Sequence, residues 1–167
     1  MIVLKLYFHI AAALKKGVYR LIYGRRVHFG RKTTFRRSLA LAIEKTGSVS
    51  IGDGCFFNNG CSISSQCGVT IGAGTVFGER VSIYDHDHAY RNLALPAGAQ
   101  GYTTAPVVIG AGCWLGSNVT VLKGTVLGDH VVVGAGCVLR GIIASDTLVT
   151  QGTDCIQRPI GGSAKAD

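Results

Sequence analysis

The sequence predicts an all-β solenoid, a stack of short parallel strands with a turn every six residues. Three observations predict it. Branched aliphatic–Gly pairs recur at Ile51-Gly52, Ile71-Gly72, Ile109-Gly110, Leu115-Gly116, Leu127-Gly128 and Val133-Gly134, with Phe77-Gly78 in phase and Val121 and Leu139 on the same beat. The 24 glycines show no three-residue period, so they mark corners rather than a collagen-like helix. An apolar content of 47% in 167 residues is enough for one domain with a continuous core. A fixed short period means that each unit buries its apolar face only against its neighbours. Strands this short cannot form hairpins in one flat sheet. Stacked in parallel, they bond up and down the coil and leave only the two ends unpaired.

The chain opens with an arm, residues 1–26, that is basic and partly helical. MIVLKLYFHIAAALKKGVYRLIY has no glycine except Gly17 and reads as one or two short helices. Its apolar run, broken by Lys5 and His9, is shorter than the roughly 20 residues that span a bilayer. The positive cluster follows the apolar run instead of preceding it, unlike a secretory signal. Residues 1–37 hold ten of the seventeen Lys and Arg and no acid; the rest of the chain has seven basic and nine acidic side chains. The net charge of +8 therefore belongs to the first 37 residues, a basic end that suits an anionic lipid surface or a polyanionic substrate. The same segment can instead cap one end of the solenoid. No nucleic-acid recognition motif accompanies the charge. The expected location is the cytoplasm, at the inner face of the membrane if the arm docks there.

The solenoid is expected over residues 27–160, followed by a flexible tail, 161–167. Gly24, Gly30, Gly47 and Ser48–Gly54 lead into the regular beat. The 20-residue interval from Ile51 to Ile71 exceeds a multiple of six by two, which suggests a small bulge near Asn58-Asn59-Gly60. Residues 89–106 have no period and contain Pro96, Gly98 and Gly101; they read as an excursion loop of the kind that often carries function. Cys55, Cys61 and Cys67 are six apart, the pattern of small buried spacers, and no CxxC pair argues for zinc or redox work. Unpaired cysteines fit a reducing cytoplasm.

Between the two repeat blocks lies Val81-Ser-Ile-Tyr-Asp-His86-Asp-His88, and the beat breaks there. Beyond the loop, the run from Thr104-Ala-Pro through Trp114-Leu-Gly-Ser117 to Val138-Leu139 completes an ordered set: repeat, histidine, loop, Ala-Pro, repeat with Trp-Leu-Gly-Ser. Over residues 47–155 this order resembles the bacterial hexapeptide-repeat O-acetyltransferases. The likeness is to the branch that acetylates sugars of exopolysaccharide, capsule or lipopolysaccharide, related to maltose and galactoside acetyltransferases. The resemblance implies a left-handed parallel β-helix of hexapeptide repeats, three per coil, behind a short N-terminal helical segment. It implies homotrimers with acetyl-CoA and sugar acceptor bound in clefts between subunits, direct attack in a ternary complex, and no metal.

The chemistry needs a base to take the proton of a sugar hydroxyl as it attacks a thioester, and histidine titrates nearest that range. The resemblance places the base on His88; His86, two residues earlier, is the alternative base and otherwise a candidate to contact the acceptor. Asp85 and Asp87 are candidates to hold the imidazole or contact the acceptor, against ordinary turn chemistry. It implies that the Ser117 backbone amide receives the oxyanion. Trp114 would line the pantetheine channel or be a core aromatic. Asn58 would touch the acceptor or simply make a turn. Ala135 would keep the CoA channel narrow. Arg140 stands one residue from the family's phosphate-binding lysine, because the usual Thr-Lys-Asp is Arg140-Gly141-Ile142 here. The usual Gly-Asn-Pro-Ala element is replaced by Gly152-Thr-Asp-Cys-Ile-Gln-Arg158. Rival readings are a xenobiotic acetyltransferase, a non-catalytic scaffold and a trimeric zinc carbonic anhydrase. The last needs three converging histidines, and only His130 joins His86 and His88 inside the solenoid.

Overall fold

The computed structural model describes residues 2–151. Helix α1 (Ile2–Tyr23) is followed by a β-helix of five full coils and the start of a sixth. The first three coils are β1 (Val27–Phe29), β2 (Thr34–Phe35) and β3 (Leu39–Ile43); β4 (Val49–Ile51), β5 (Phe56–Phe57) and β6 (Cys61–Ser65); and β7 (Val69–Ile71), β8 (Val76–Phe77) and β9 (Ser82–Tyr84). A two-stranded excursion, β10 (His86–His88) and β11 (Tyr102–Thr104), interrupts the climb. Coil four is β12 (Val107–Ile109), β13 (Trp114–Leu115) and β14 (Thr120–Val121), and coil five is β15 (Val126–Leu127), β16 (Val132–Val133) and β17 (Val138–Leu139). β18 (Ile142–Ile143) and β19 (Leu148–Val149) begin the sixth.

Each coil contributes one strand to each of three parallel sheets. The first is β1-β4-β7-β12-β15-β18, the second β2-β5-β8-β13-β16-β19 and the third β3-β6-β9-β14-β17. Along every strand the side chains alternate between inside and outside, so the inward residues stack into ladders. Phe35, Phe57, Phe77 and Leu115 form one such ladder and are all at most 1% exposed. The rings of Phe57 and Phe77 lie 4.3 Å apart and almost parallel. Burial of each large side chain contributes about 1.5–3 kcal/mol, and the core runs unbroken up the coil axis.

The register fixes the length of each corner. The first two edges advance six residues between inward side chains in every coil, as in Ile51, Phe57, Ile63 and Leu127, Val133, Leu139. The third edge varies: ten residues from Leu41 to Ile51, eight from Ile63 to Ile71, 26 from Ile83 to Ile109, six from Val121 to Leu127 and four from Leu139 to Ile143. This corrects the expected bulge at Asn58-Asn59-Gly60, which is an ordinary second corner. The two extra residues lie instead where β6 runs on to Ser65 and turns through Gln66-Cys67-Gly68.

Helix α1 is one continuous helix through Gly17, not two, and it crosses the open end of the first coil. Ala12 and Tyr19 are buried there. Unpaired carbonyls of the terminal coil receive side-chain donors. Lys16 Nζ reaches Thr33 O at 2.7 Å, Tyr23 OH reaches Leu41 O at 2.8 Å, and Tyr19 OH donates to Leu39 O. Arg26 continues the seal onto Ile43 O and Glu44 O. An exposed strand edge, otherwise a template for aggregation, is closed by the arm. No described helix is long and apolar enough to cross a membrane.

Cys55, Cys61, Cys113 and Cys137 are buried and unpaired. The first three sit at corners, where the thiols of Cys55 and Cys61 donate to the carbonyls of Gly72 and Gly78 one coil on at 3.1 and 3.2 Å, and burial raises all three thiol pKa values. Thr33 and Thr75 fill the same kind of place with a hydroxyl. Cys67 departs from the pattern: it lies half-buried on the long third corner beside Asp85.

Candidate active site

Asp85 ends coil three, and its carboxylate is fully buried. It accepts from Ser65 Oγ at 2.7 Å and from the backbone amides of Gln66, Cys67 and Gly68 at 2.7, 2.9 and 2.6 Å. One side chain therefore holds the bulged third corner of the coil below. Burial alone would raise its pKa, but the donors from Gln66, Ser65, Cys67 and His86 outweigh it and hold the pKa at about 2.

Asp85 also holds His86. Its Oδ1 lies 3.0 Å from His86 Nδ1, and only 14% of the imidazole side chain stays exposed. A carboxylate at Nδ1 fixes the tautomer with the proton there and leaves Nε2 as the basic nitrogen. The histidines are not in a turn. They form strand β10, paired antiparallel with β11, His86 opposite Thr104 and His88 opposite Tyr102. Tyr102 packs against both rings, edge-on to His86 at 5.3 Å and tilted to His88 at 4.5 Å. His88 is exposed and, among the described residues, has no carboxylate partner.

Lys123, at the third corner of coil four, was not anticipated from the sequence. Its ammonium lies 3.3 Å from Asp87 Oδ2 and donates to the Thr103 hydroxyl, so it ties both strands of the excursion to the next coil. The isolated positive charge in a near-neutral segment was the only signal for it. Asp87 thus braces the hairpin and does not contact an imidazole. Arg140 is exposed on the same edge one coil higher.

The remaining predicted residues line the second edge. Asn58 is half-buried and its Oδ1 accepts the Asn59 amide at 2.9 Å, the local turn bond open to an Asn. Trp114 is 56% exposed on the outer face of the second sheet, stacked in register between Val76 and Val132, and so is not a core aromatic. Ser117 and Ala135 occupy equivalent corners one coil apart, where Gly136 N donates to Ser117 O at 2.9 Å.

A stacking rule governs the corner amides. Where the residue one coil on is Asp, Asn or Ser, its side chain caps the amide. Arg31 N meets Asp53 Oδ1, Arg37 N meets Asn59 Oδ1, Glu79 N meets Ser117 Oγ, Ala111 N meets Asp129 Oδ1, and Asp129 N meets Ser145 Oγ. Above Ser117 stands Ala135, which has no acceptor. Among the described residues the Ser117 amide has no hydrogen-bond partner. The Asp53 and Ala73 amides, also followed by alanine, are free at the first edge; Ser117 alone of these is at the second edge, three residues after Trp114.

The two groups sit on different edges. Ser117 lies over Glu79, because Asn118 N donates to Glu79 O. His86 comes seven residues after Glu79, beyond the whole width of the third sheet. At about 3.3 Å per residue this is a separation on the order of 20 Å. Among the described residues, no cluster of three or more His, Cys, Asp and Glu side chains is arranged to hold a metal ion. The Gly152–Arg158 replacement, Cys155 and the 161–167 tail lie outside the described residues.

Residues 106–141 match the family model described as bacterial transferase hexapeptide (six repeats). The chain is 35% identical over 130 residues to WbbJ of Escherichia coli K12, named for lipopolysaccharide biosynthesis O-acetyl transfer; the match covers 74% of this chain and 66% of WbbJ. A relative in Mycobacterium tuberculosis, named as an acetyltransferase, is 34% identical over 120 residues, 72% of this chain and 38% of that protein. The chain therefore spans less than two thirds of the length of these relatives. Among solved structures, the hexapeptide-repeat acetyltransferase VCA0836 of Vibrio cholerae, complexed with acetyl coenzyme A, superposes with a TM-score of 0.72 at 26% identity, covering 90% of this chain and 78% of that one. A maltose O-acetyltransferase of Clostridium difficile gives 0.66 at 25% identity, over 74% of this chain and 64% of that one.

Proposed function

The chain belongs to the bacterial hexapeptide-repeat transferase family, and on that premise we propose that it moves an acetyl group from acetyl-CoA to a sugar hydroxyl. The acceptor is a saccharide of exopolysaccharide, capsule or lipopolysaccharide synthesis, a reading supported by the likeness to WbbJ. The Asp85–His86 pair carries the proposal: a buried, ionised carboxylate orients one imidazole at the break of the repeat.

His86, rather than the His88 expected from the motif, is the general base. Its Nε2 takes the acceptor hydroxyl proton as the oxygen attacks the thioester carbonyl carbon. The tetrahedral oxyanion is received by the uncapped Ser117 amide. When the intermediate collapses, the carbon–sulfur bond breaks and the imidazolium returns its proton to the departing CoA thiolate. Because His86 and Ser117 lie on separate edges of one chain, base and amide come from neighbouring copies. A homotrimer in which one copy's third edge faces the next copy's second edge supplies such a site. Trp114 then flanks the pantetheine arm, Ala135 leaves it room, and Arg140 serves the CoA phosphates. Asp87, His88 and Asn58 face the acceptor side.

Thiol release from acetyl-CoA with a panel of sugars tests this. Acceptor-dependent release should fall about 10²–10⁴-fold in His86→Ala and less than tenfold in His88→Ala. The reverse order would return the base to His88. Release without any acceptor dependence in the native chain would sink the acetyl-transfer reading.

A further inference from the structure

Helix α1 is apolar on two faces, and the cap uses only one. Ala12 and Tyr19 are buried against the first coil, whereas Tyr7, Ile10, Leu14, Val18 and Leu21 point away from it at 62%, 54%, 70%, 51% and 87% exposure. Their spacings of three and four residues draw a single stripe along the helix. A contiguous exposed apolar stripe of this kind marks an interaction surface. Around it the capped end of the solenoid is basic. Arg25, Lys32, Arg36 and Arg37 are exposed, have no acidic partner among the described residues, and precede the first acidic side chain, Glu44.

We propose that this outer face of α1 is a docking surface for an anionic lipid bilayer. The helix would lie in the interface plane, its stripe in the headgroup–acyl boundary and its basic rim on lipid phosphates. The charge complementarity argues against a second copy as the occupant, because two such ends would bring like charges together. A helix of this length lying flat covers about 33 Å, wider than the coil it closes. The histidine strand leaves the third coil, two strand spacings or about 10 Å above the first. For the acetyl-transfer reading, on which this last step alone rests, the site then stands within reach of a saccharide carried on a lipid.

Flotation with phosphatidylcholine–phosphatidylglycerol vesicles, against pure phosphatidylcholine, tests the surface directly. The native chain should float with the anionic vesicles and release at high ionic strength. Leu14→Glu/Leu21→Glu should weaken binding at least about tenfold, and Arg36→Glu/Arg37→Glu several-fold. Both side chains of the first pair are solvent-facing, so a thermal melt should match the native one, and thiol release with a soluble sugar should be unchanged. Failure to float with either vesicle would overturn the proposal. So would flotation that the leucine variant leaves intact, or a leucine variant that changes only the oligomeric state. Transfer to soluble sugar is measured separately, so loss of that activity in the native chain would count against the enzymatic reading and not against the surface.

Discussion

Two edges of the prism keep time and the third does not. The first and second corners advance six residues in every coil, while the third takes ten, eight, 26, six and four. The regular edges satisfy their backbone locally, each corner bonded to the one a coil away. The irregular edge has insertions to stabilise, and it does so with charge: a buried Asp85 and a Lys123–Asp87 pair. The histidine strand grows out of that reinforced edge. The proposed base stands where the repeat is broken, and the Asp85 carboxylate that stabilises the break also holds its imidazole.

The sharpest way to break the comparison is Asp85→Asn. The amide oxygen can accept from one or two donors, but its Nδ2 would face N–H groups that need an acceptor. Loss of the charge-assisted bonds should cost about 3 kcal/mol of stability. Turnover should fall on the order of 10²–10⁴-fold, because His86 loses the group that fixes its tautomer. The native chain also has an acid signature. Asp85 is held at about 2 in the folded state, below its unfolded value, so its contribution is present above pH ~4 and lost as pH falls toward 2. That contribution is about 2 kcal/mol, and denaturant melts between these pH values should show it in the native chain and not in the variant. Equal acid dependence in both would mean that Asp85 does not supply the bulged corner's stability.

On the regular edge the corresponding change adds a group. Ala135→Ser should cap the Ser117 amide as Ser117 caps Glu79 and Ser145 caps Asp129. An oxyanion donor occupied in the ground state is lost to the transition state, so kcat should drop about tenfold to 10²-fold. The melting temperature should hold or rise slightly, since an orphan amide gains a partner. Ala135→Gly, which leaves the amide free, should keep most of the activity. If both variants turn over alike, the stacking rule does not reach the chemistry.

The same contrast explains what the sequence made visible. Inward aliphatics six apart, such as Leu115, Val121, Leu127 and Val133, report directly on the two regular edges. The residue before each of them faces outward, so the exposure of Trp114, one place before Leu115, was available from the beat itself. The third edge was hidden, because its corners are shaped by contacts from the next coil. Asn58-Asn59-Gly60 looked like an insertion by turn composition, yet the extra residues at Ser64–Gly68 are held by an aspartate 17 to 20 positions further on. Motif order pointed to the histidine segment but did not say which imidazole meets a carboxylate. That depends on Asp85 turning inward while Asp87, two residues later, turns toward Lys123. Similarly, ten basic residues in the first 37 suggested either a cap or a lipid contact. Only the packed helix showed that it has a face for the cap and another left over.

Lys123→Ala gives the smallest effect and the finest test. The Lys123–Asp87 pair is partly exposed, with side chains 27% and 48% accessible, so its removal should cost less than about 1 kcal/mol. The root of the hairpin keeps two backbone bonds, Ala105 N to Asp85 O and Gly124 N to Ala105 O. His86 therefore stays on Asp85, and kcat should change less than about threefold. What loosens is the outer part of β10–β11, including Asp87 and His88, which we propose face the acceptor. The KM for acceptor should rise several-fold while that for acetyl-CoA holds, and amide exchange over 87–104 should quicken. Lys123→Arg, which can reach the same two partners, should recover most of the KM. If kcat collapses while KM stays put, the lysine belongs with the imidazole's own support, and the irregular edge is a single catalytic unit rather than a braced scaffold carrying one.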